Sequence, residues 1–172
     1  MNRKKLDEYL VRTQCGEREA FSLFYEQTVK GVFAFLYGYY RAYHHTEDAT
    51  QETYYKALKN VAQYRPGTDA RAWLLQIAKN TALNDLKRKQ REESVQDEEL
   101  EVLLRDEGRD RSAFEALEKA LDSAEREIVI LHVLWGYKHR EIAEKTGLPL
   151  GTVTSKYKTS LAKLKAYLKE TT

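Results

Sequence analysis

The sequence predicts an all-α protein made of two small helical bundles joined by a flexible acidic linker. Three observations point there. Apolar residues recur at helical spacing through nearly the whole chain, with no run of strand-type alternation. Only two prolines occur, Pro66 and Pro149, and both fall in turn-like sequence. The charge pattern breaks once, where basic Lys79–Arg91 gives way to an acidic run containing Glu92, Glu93, Asp97, Glu98, Glu99, Glu101, Asp106 and Glu107.

The elements follow in order. A short first helix is expected over about Arg3 to Gln14, and a long second one from about Glu17 to Ala42, with Ala20, Phe21, Phe24, Val32, Phe35, Leu36 and Tyr39 on its apolar face. A third begins at Thr46 as its cap, with Glu47 and Asp48 in the first turn, where the helix dipole favours acids. Ala57, Leu58 and Val61 face its core side. Tyr64-Arg65-Pro66-Gly67-Thr68-Asp69 is a loop by composition. The fourth helix, about Asp69 to Arg91, places Trp73, Leu74, Ile77, Ala78, Ala82 and Leu86 at core spacing. These four helices form the first domain, residues 1–91, and residues 92–111 read as the linker. The second domain, 112–172, holds helices over Phe114–Leu121 and from Ser123 to Trp135, then a helical pair.

That pair is the most informative stretch. Lys138 to Lys158 reads as a helix, a tight turn at Gly147, and a second helix opening near Gly151-Thr152. Gly147 permits a positive φ and Pro149 blocks continuation of the first helix. Ile142, Ala143, Leu148, Val153 and Leu161 supply the interface between the two helices. The layout is that of a DNA-binding helix-turn-helix. The second helix carries Lys156, Lys158, Lys163, Lys165 and Lys169, and no acid stands between Lys145 and Lys169, which suits phosphate contact. A helical hairpin with a solvated lysine face is the competing reading.

Composition excludes several classes. The single Cys15 rules out an intramolecular disulfide and a cysteine-based zinc site. The amino terminus lacks the apolar stretch of a signal peptide, and no apolar run reaches the ~18 residues of a membrane span, so a soluble, cytoplasmic protein is expected. His44 and His45 adjoin Glu47 and Asp48, but adjacent helix positions point about 100° apart and no further ligand is evident. No phosphate loop, nucleophile elbow or HExxH pattern occurs. No metal, cofactor, small-molecule substrate or catalysis is expected.

Two other surfaces carry chemistry. Asp48, Gln51, Glu52, Tyr55 and Lys59 share one stripe of the third helix, either a protein-docking face or a solvated surface. Tyr64, Arg65, Gly67, Thr68, Asp69 and Arg71, with Trp73, Gln76, Lys79, Asn80, Asn84, Lys87 and Arg88, interleave aromatics, amides and cations. That mixture suits unpaired DNA, with aromatics stacking on bases for roughly 1–3 kcal/mol each. Trp73, in phase with Ile77, also reads as core.

The ordered blocks Phe21-Ser22-Leu23-Phe24-Tyr25-Glu26, Glu47-Asp48-Ala49-Thr50-Gln51-Glu52-Thr53, Arg71-Ala72-Trp73-Leu74-Leu75-Gln76-Ile77-Ala78-Lys79-Asn80, Arg140-Glu141-Ile142-Ala143 and Gly151-Thr152-Val153-Thr154-Ser155-Lys156 resemble a sigma factor of the sigma-70 type, in its extracytoplasmic-function (ECF) form. The resemblance implies a bacterial RNA polymerase subunit that directs core polymerase to promoters and promotes DNA melting. Residues 1–91 would be region 2, with Asp48, Gln51, Glu52 and Tyr55 docking on the β′ clamp helices. Tyr64, Arg65, Gly67, Thr68, Asp69, Arg71, Asn80, Lys87 and Arg88 would capture a flipped base of the −10 element and hold the non-template strand. The linker would follow the template-strand and RNA-exit path. Region 4, resting on the β flap, would read the −35 element through Gly151, Thr152, Thr154, Ser155, Lys156, Lys158 and Thr159. An anti-sigma factor is the further implied partner. Lys156 stands where many relatives have arginine and so lacks the fork that reads guanine. Tyr157 replaces a more usual leucine, and Arg65-Pro66-Gly67-Thr68 differs in spacing from many members. The rival readings are a helix-turn-helix regulator that is no polymerase subunit, and a DNA-processing enzyme using Glu47, Asp48 and Glu52 around a metal.

Overall fold

The computed structural model describes residues 2–92 and 108–170. Among these, every regular element is helical: α1 (Arg3–Gln14), α2 (Arg18–Tyr40), α3 (Tyr43–Lys59), a 3₁₀ turn (Val61–Gln63), α4 (Ala70–Glu92), α5 (Gly108–Ala120), α6 (Ser123–Val129), α7 (His139–Thr146) and α8 (Leu150–Glu170). A π-helical segment, Ile130–Leu134, continues α6. The linker expected over 92–111 lies mostly outside the described residues, and α5 already begins within it at Gly108.

Helices α1 to α4 form one bundle. Leu6 and Leu10 of α1, Phe24, Val32 and Leu36 of α2, Ala57 of α3 and Leu74, Ala78 and Ala82 of α4 are almost wholly buried. The α2–α3 boundary departs from expectation. Helix α2 ends at Tyr40 on Arg41, which takes a left-handed conformation (φ 53°), and α3 starts three residues before Thr46. Thr46 is therefore no cap. It is fully buried, and its hydroxyl donates to the Ala42 carbonyl at 2.7 Å. Thr50 and Thr53 repeat this bond to the carbonyl four residues back. The inner face of α3 is thus small and internally satisfied, which lets it pack closely on its neighbours. Glu47 and Asp48 sit beyond the first turn, and Leu58 is half exposed rather than core.

Helices α5 to α8 form the second bundle. Helix α6 starts at Ser123 as expected, and Asp122 caps it by accepting from Glu125 N at 2.8 Å, while the Glu125 carboxylate accepts from Asp122 N at 3.1 Å. This reciprocal box satisfies two otherwise orphaned donors.

The two bundles meet over a shared core. Trp135, just past the π-helical segment, is fully buried. Its indole N–H donates to the Gly31 carbonyl of α2 at 3.1 Å. A side chain at Gly31 would collide, because a Cβ there would lie 2.8 Å from Trp135 Cε2. Arg71 of α4, only 1% exposed, donates through Nη1 to the Trp135 carbonyl at 2.6 Å and lies 3.9 Å from the centre of the Tyr137 ring. Arg3 pairs with Glu141 of α7, and Phe114 of α5 packs on Phe33 and Tyr37 of α2.

Candidate nucleic-acid interface and docking face

The loop between the 3₁₀ turn and α4 is held from below by α1. Tyr64 is 2% exposed, and its hydroxyl donates to Asp7 Oδ1 at 2.5 Å, with the Thr68 carbonyl a second acceptor at 3.1 Å. Gly67, at φ 80°, donates its N–H to the same Asp7 oxygen at 2.8 Å. Gln14 Nε2 donates to the carbonyls of Val61 (2.8 Å) and Tyr64 (2.7 Å). Thr68 folds back on the Arg65 carbonyl at 2.7 Å. Burial and the Asp7 contact push the Tyr64 phenol well above its ordinary range. Tyr64, packed edge-on against Trp73 at 5.3 Å, is the loop's foundation and offers no face for a base. Arg65, Gly67 and Thr68 are exposed.

Asp69 closes the loop. Its Oδ1 accepts from Arg71 N and Nε, both at 3.1 Å, and its Oδ2 accepts from Arg71 Nη2 at 3.2 Å. Burial acts to raise this carboxyl, but Arg71, with help from Arg3, outweighs it and holds Asp69 below its usual range. Arg71 is committed to Asp69, Trp135 and Tyr137, so the structure places it at the junction of the bundles rather than on a surface. Further along α4, Gln76, Lys79, Asn80, Asn84, Lys87 and Arg88 are exposed, with Gln76 donating to Asn80 at 2.9 Å. An open face of amides and cations therefore leads away from the loop.

On α3, Asp48, Gln51, Glu52 and Tyr55 are all exposed on one stripe. Tyr55, at 62% exposure, and Leu58, at 49%, add an apolar ridge beside the acids, a feature expected of a contact surface. Among the described residues, no cluster of ligating side chains could hold a metal. No described helix is long and apolar enough to cross a membrane.

The helix-turn-helix forms as its turn chemistry requires. Gly147 sits at φ 72° and its N–H closes α7 on the Ala143 carbonyl at 2.9 Å, while Ile142 and Val153 are fully buried between the two helices. Leu161, expected in that interface, is 44% exposed. Gly151, Thr154, Ser155, Lys158 and Thr159 are exposed on α8, and Thr152 is half-buried. The lysines divide into two sets. Lys156 pairs with Asp122 at 3.2 Å and Lys163 with Glu125 at 2.8 Å, so both turn toward α6. The bond from Glu125 N and the Lys156 ammonium hold Asp122 below its ordinary range. Lys158, Lys165 and Lys169 remain exposed.

Asp7 and Gln14 escaped the sequence reading. They lie about 50 to 60 residues from the loop they hold. Their one signal is seven-residue spacing on α1, which puts both on one face beside the Leu6–Leu10 stripe.

The sigma-70 region 2 family model matches residues 24–92, and the sigma-70 region 4 model matches residues 111–164. The chain is 30% identical over 127 residues to the ECF RNA polymerase sigma factor EcfG of Rhodopseudomonas palustris, an alignment covering 71% of this chain and 70% of that protein. It is 29% identical to the ECF RNA polymerase sigma factor BldN of Streptomyces coelicolor, covering 87% of this chain and 60% of that one. The fold is similar to that of CnrH, solved with the cytosolic domain of CnrY, at TM-score 0.62 and 20% identity over 98% of this chain and 99% of that one. It is also similar to the sigma factor RpoE of Bartonella quintana, solved with the anti-sigma factor NepR, at TM-score 0.60 and 24% identity over 87% and 96% of the two chains. With both regions present in order, the chain belongs to the ECF subfamily of sigma-70-type RNA polymerase sigma factors.

Proposed function

We propose that this sigma factor divides promoter recognition between its bundles without performing catalysis itself. The α3 stripe of Asp48, Gln51, Glu52 and Tyr55 docks on the β′ subunit. The loop Tyr64–Asp69 and the α4 face of Asn80, Lys87 and Arg88 hold the unpaired −10 strand. Gly151, Thr152, Thr154, Ser155, Lys158 and Thr159 of α8 meet the −35 duplex, with the bundle resting on the β flap. One observation carries the reading. A braced loop opening onto exposed amides and cations, and a helix-turn-helix with an exposed reading face, occur on separate bundles of one chain. Melting costs about 1.4 kcal/mol per stacked step, so contacts available only to a separated strand must offset it.

Geometry adds a condition. Elements centred at −35 and −10 lie roughly 85 Å apart on B-form DNA at about 3.4 Å per base pair. Two bundles of this size in contact reach at most about 60 Å end to end. The chain must therefore open at the Trp135 contact to engage both elements. An anti-sigma factor that holds the bundles together or covers the α3 stripe is the regulatory partner this arrangement suits. The site of action is the cytoplasm, where the polymerase is.

Run-off transcription with purified core polymerase and fragmented genomic DNA tests the reading. Transcripts sharing an upstream motif should appear only with this chain present, and Asp48→Lys should abolish them. Promoter binding by the free chain, with no polymerase-dependent transcript, would sink it.

A further inference from the structure

Four side chains meet where the π-helical segment, α7 and α8 converge. The rings of His132, His139 and Tyr157 form a triangle with centres 4.6 to 4.9 Å apart, and Thr154 Oγ1 lies 3.4 Å from His139 Nδ1. The two histidines differ in how they are satisfied. His132 Nδ1 lies 2.7 Å from the Tyr137 carbonyl, which only accepts, so this nitrogen carries a proton and donates it. His139 Nε2 is fully buried and has no hydrogen-bond partner among the described residues. A neutral ring can leave that nitrogen bare, whereas the N–H of a cation demands an acceptor or water.

We infer that His139 is a positioning residue for the reading helix, holding α8 through Thr154 and Tyr157 only while its ring is neutral. The inference rests on the proposed contact of α8 with the −35 duplex and adds a dependence on pH. Thr154 and Tyr157 stand three positions apart, so both lie on one side of α8, within the segment proposed to meet DNA.

Protonation gives both ring nitrogens a hydrogen. A cationic N–H would then stand at the buried Nε2, with its charge 4.7 Å from the His132 ring. The surroundings offer nothing to offset this. His132 faces the ring from the π-helical segment, and Tyr157 and Thr154 face it from α8. On α7, Lys138 and Arg140 flank it, both exposed, with Arg140 paired to Glu144 at 3.7 Å. No carboxylate among the described residues pairs with either histidine. The cation is satisfied only by turning out to water, which leaves the buried Ile142–Val153 contact as the main hold of α7 on α8. Burial, and then the charge of His132, hold His139 below its ordinary 6.5, the direction this packing requires.

The test is holoenzyme binding, between pH 7.5 and 5.5, to duplex fragments spanning the −35 region of the promoters found by run-off transcription. A histidine released to water, at 6.5, is about one-tenth protonated at the first pH and about nine-tenths at the second. One such proton limits the loss of affinity to about tenfold. Wild-type affinity should fall by about three- to tenfold more than that of His139→Phe, which keeps a ring against His132 and Tyr157 but takes no proton. Helicity at the assay temperature should stay constant over this range, so that the loss reports the placement of α8. Equal profiles for the two proteins would overturn the inference while the −35 contact stands. So would a loss that tracks falling helicity, or wild-type binding that tightens relative to the variant as pH falls, which marks His139 as a cation for phosphate. If no −35 element is protected at either pH, the proposed contact of α8 fails, and the inference with it.

Discussion

Gly31→Ala probes the bundle interface with a single methyl group. A Cβ at this position would lie 2.8 Å from Trp135 Cε2, 3.0 Å from Nε1 and 3.1 Å from Cζ2. None of these atoms belongs to a flexible chain end, because the indole is fully buried and tied to the Gly31 carbonyl. Overpacking of this kind costs about 1–3 kcal/mol. Alanine within a helix is favoured over glycine by about 0.5–1 kcal/mol, so α2 itself gains stability. The two effects act on different equilibria. The first bundle should melt no lower than wild type, while contact between bundles weakens by about 1–3 kcal/mol, a shift of roughly 5- to 150-fold toward separated bundles. A compact chain of this length has a radius of gyration of about 16 Å. Small-angle scattering should show a larger radius for Gly31→Ala, and energy transfer between dyes on α3 and α8 should fall. With core polymerase, the variant should start transcription at lower sigma concentration than wild type, because less of it is closed. If radius and energy transfer stay at wild-type values while the melting temperature simply rises, Trp135 does not hold the bundles together.

Further predictions concern region 4. Lys158→Ala should weaken −35 duplex binding for all sequences alike and reduce the salt slope by about one, whereas Lys156→Ala, losing a side chain already paired with Asp122, should change the slope less; equal slopes for the two variants would refute the division of the lysines. The rings of His132, His139 and Tyr157 lie mutually 4.6 to 4.9 Å apart, and Thr154 faces His139 Nδ1. Burial and the neighbouring His132 hold His139 below its ordinary value of 6.5, so the folded state favours its neutral form. The associated stability is fully present above pH 6.5 and is lost as pH falls through the lower folded value. Thermal unfolding between pH 7.5 and 5 should therefore show a loss that His139→Phe diminishes, and an identical slope in the variant would rule out His139 as the source.

Local chemistry made much of this protein legible in its sequence. The bounds of α1, the end of α7 at Gly147, the stop at Pro149 and the exposed acid stripe of α3 all follow from spacing, turn residues and breakers that act within a few positions. Where local signals misled, packing had overridden them. Thr46 has the chemistry of a cap, yet α3 extends past it because a buried hydroxyl can be satisfied by its own Ala42 carbonyl. Arg71 and Tyr64 have the chemistry of DNA contacts, yet each lies beneath a surface, held by Trp135 and Tyr137 in one case and by Asp7 in the other. Periodicity marks which face of a helix is buried but not what buries it. The meetings of Trp135 with Gly31, 104 residues apart, and of Asp7 with Gly67, 60 apart, were decided by tertiary structure alone, because a glycine's missing side chain and a loop's N–H acquire meaning only beside the partner that fills the space or accepts the bond.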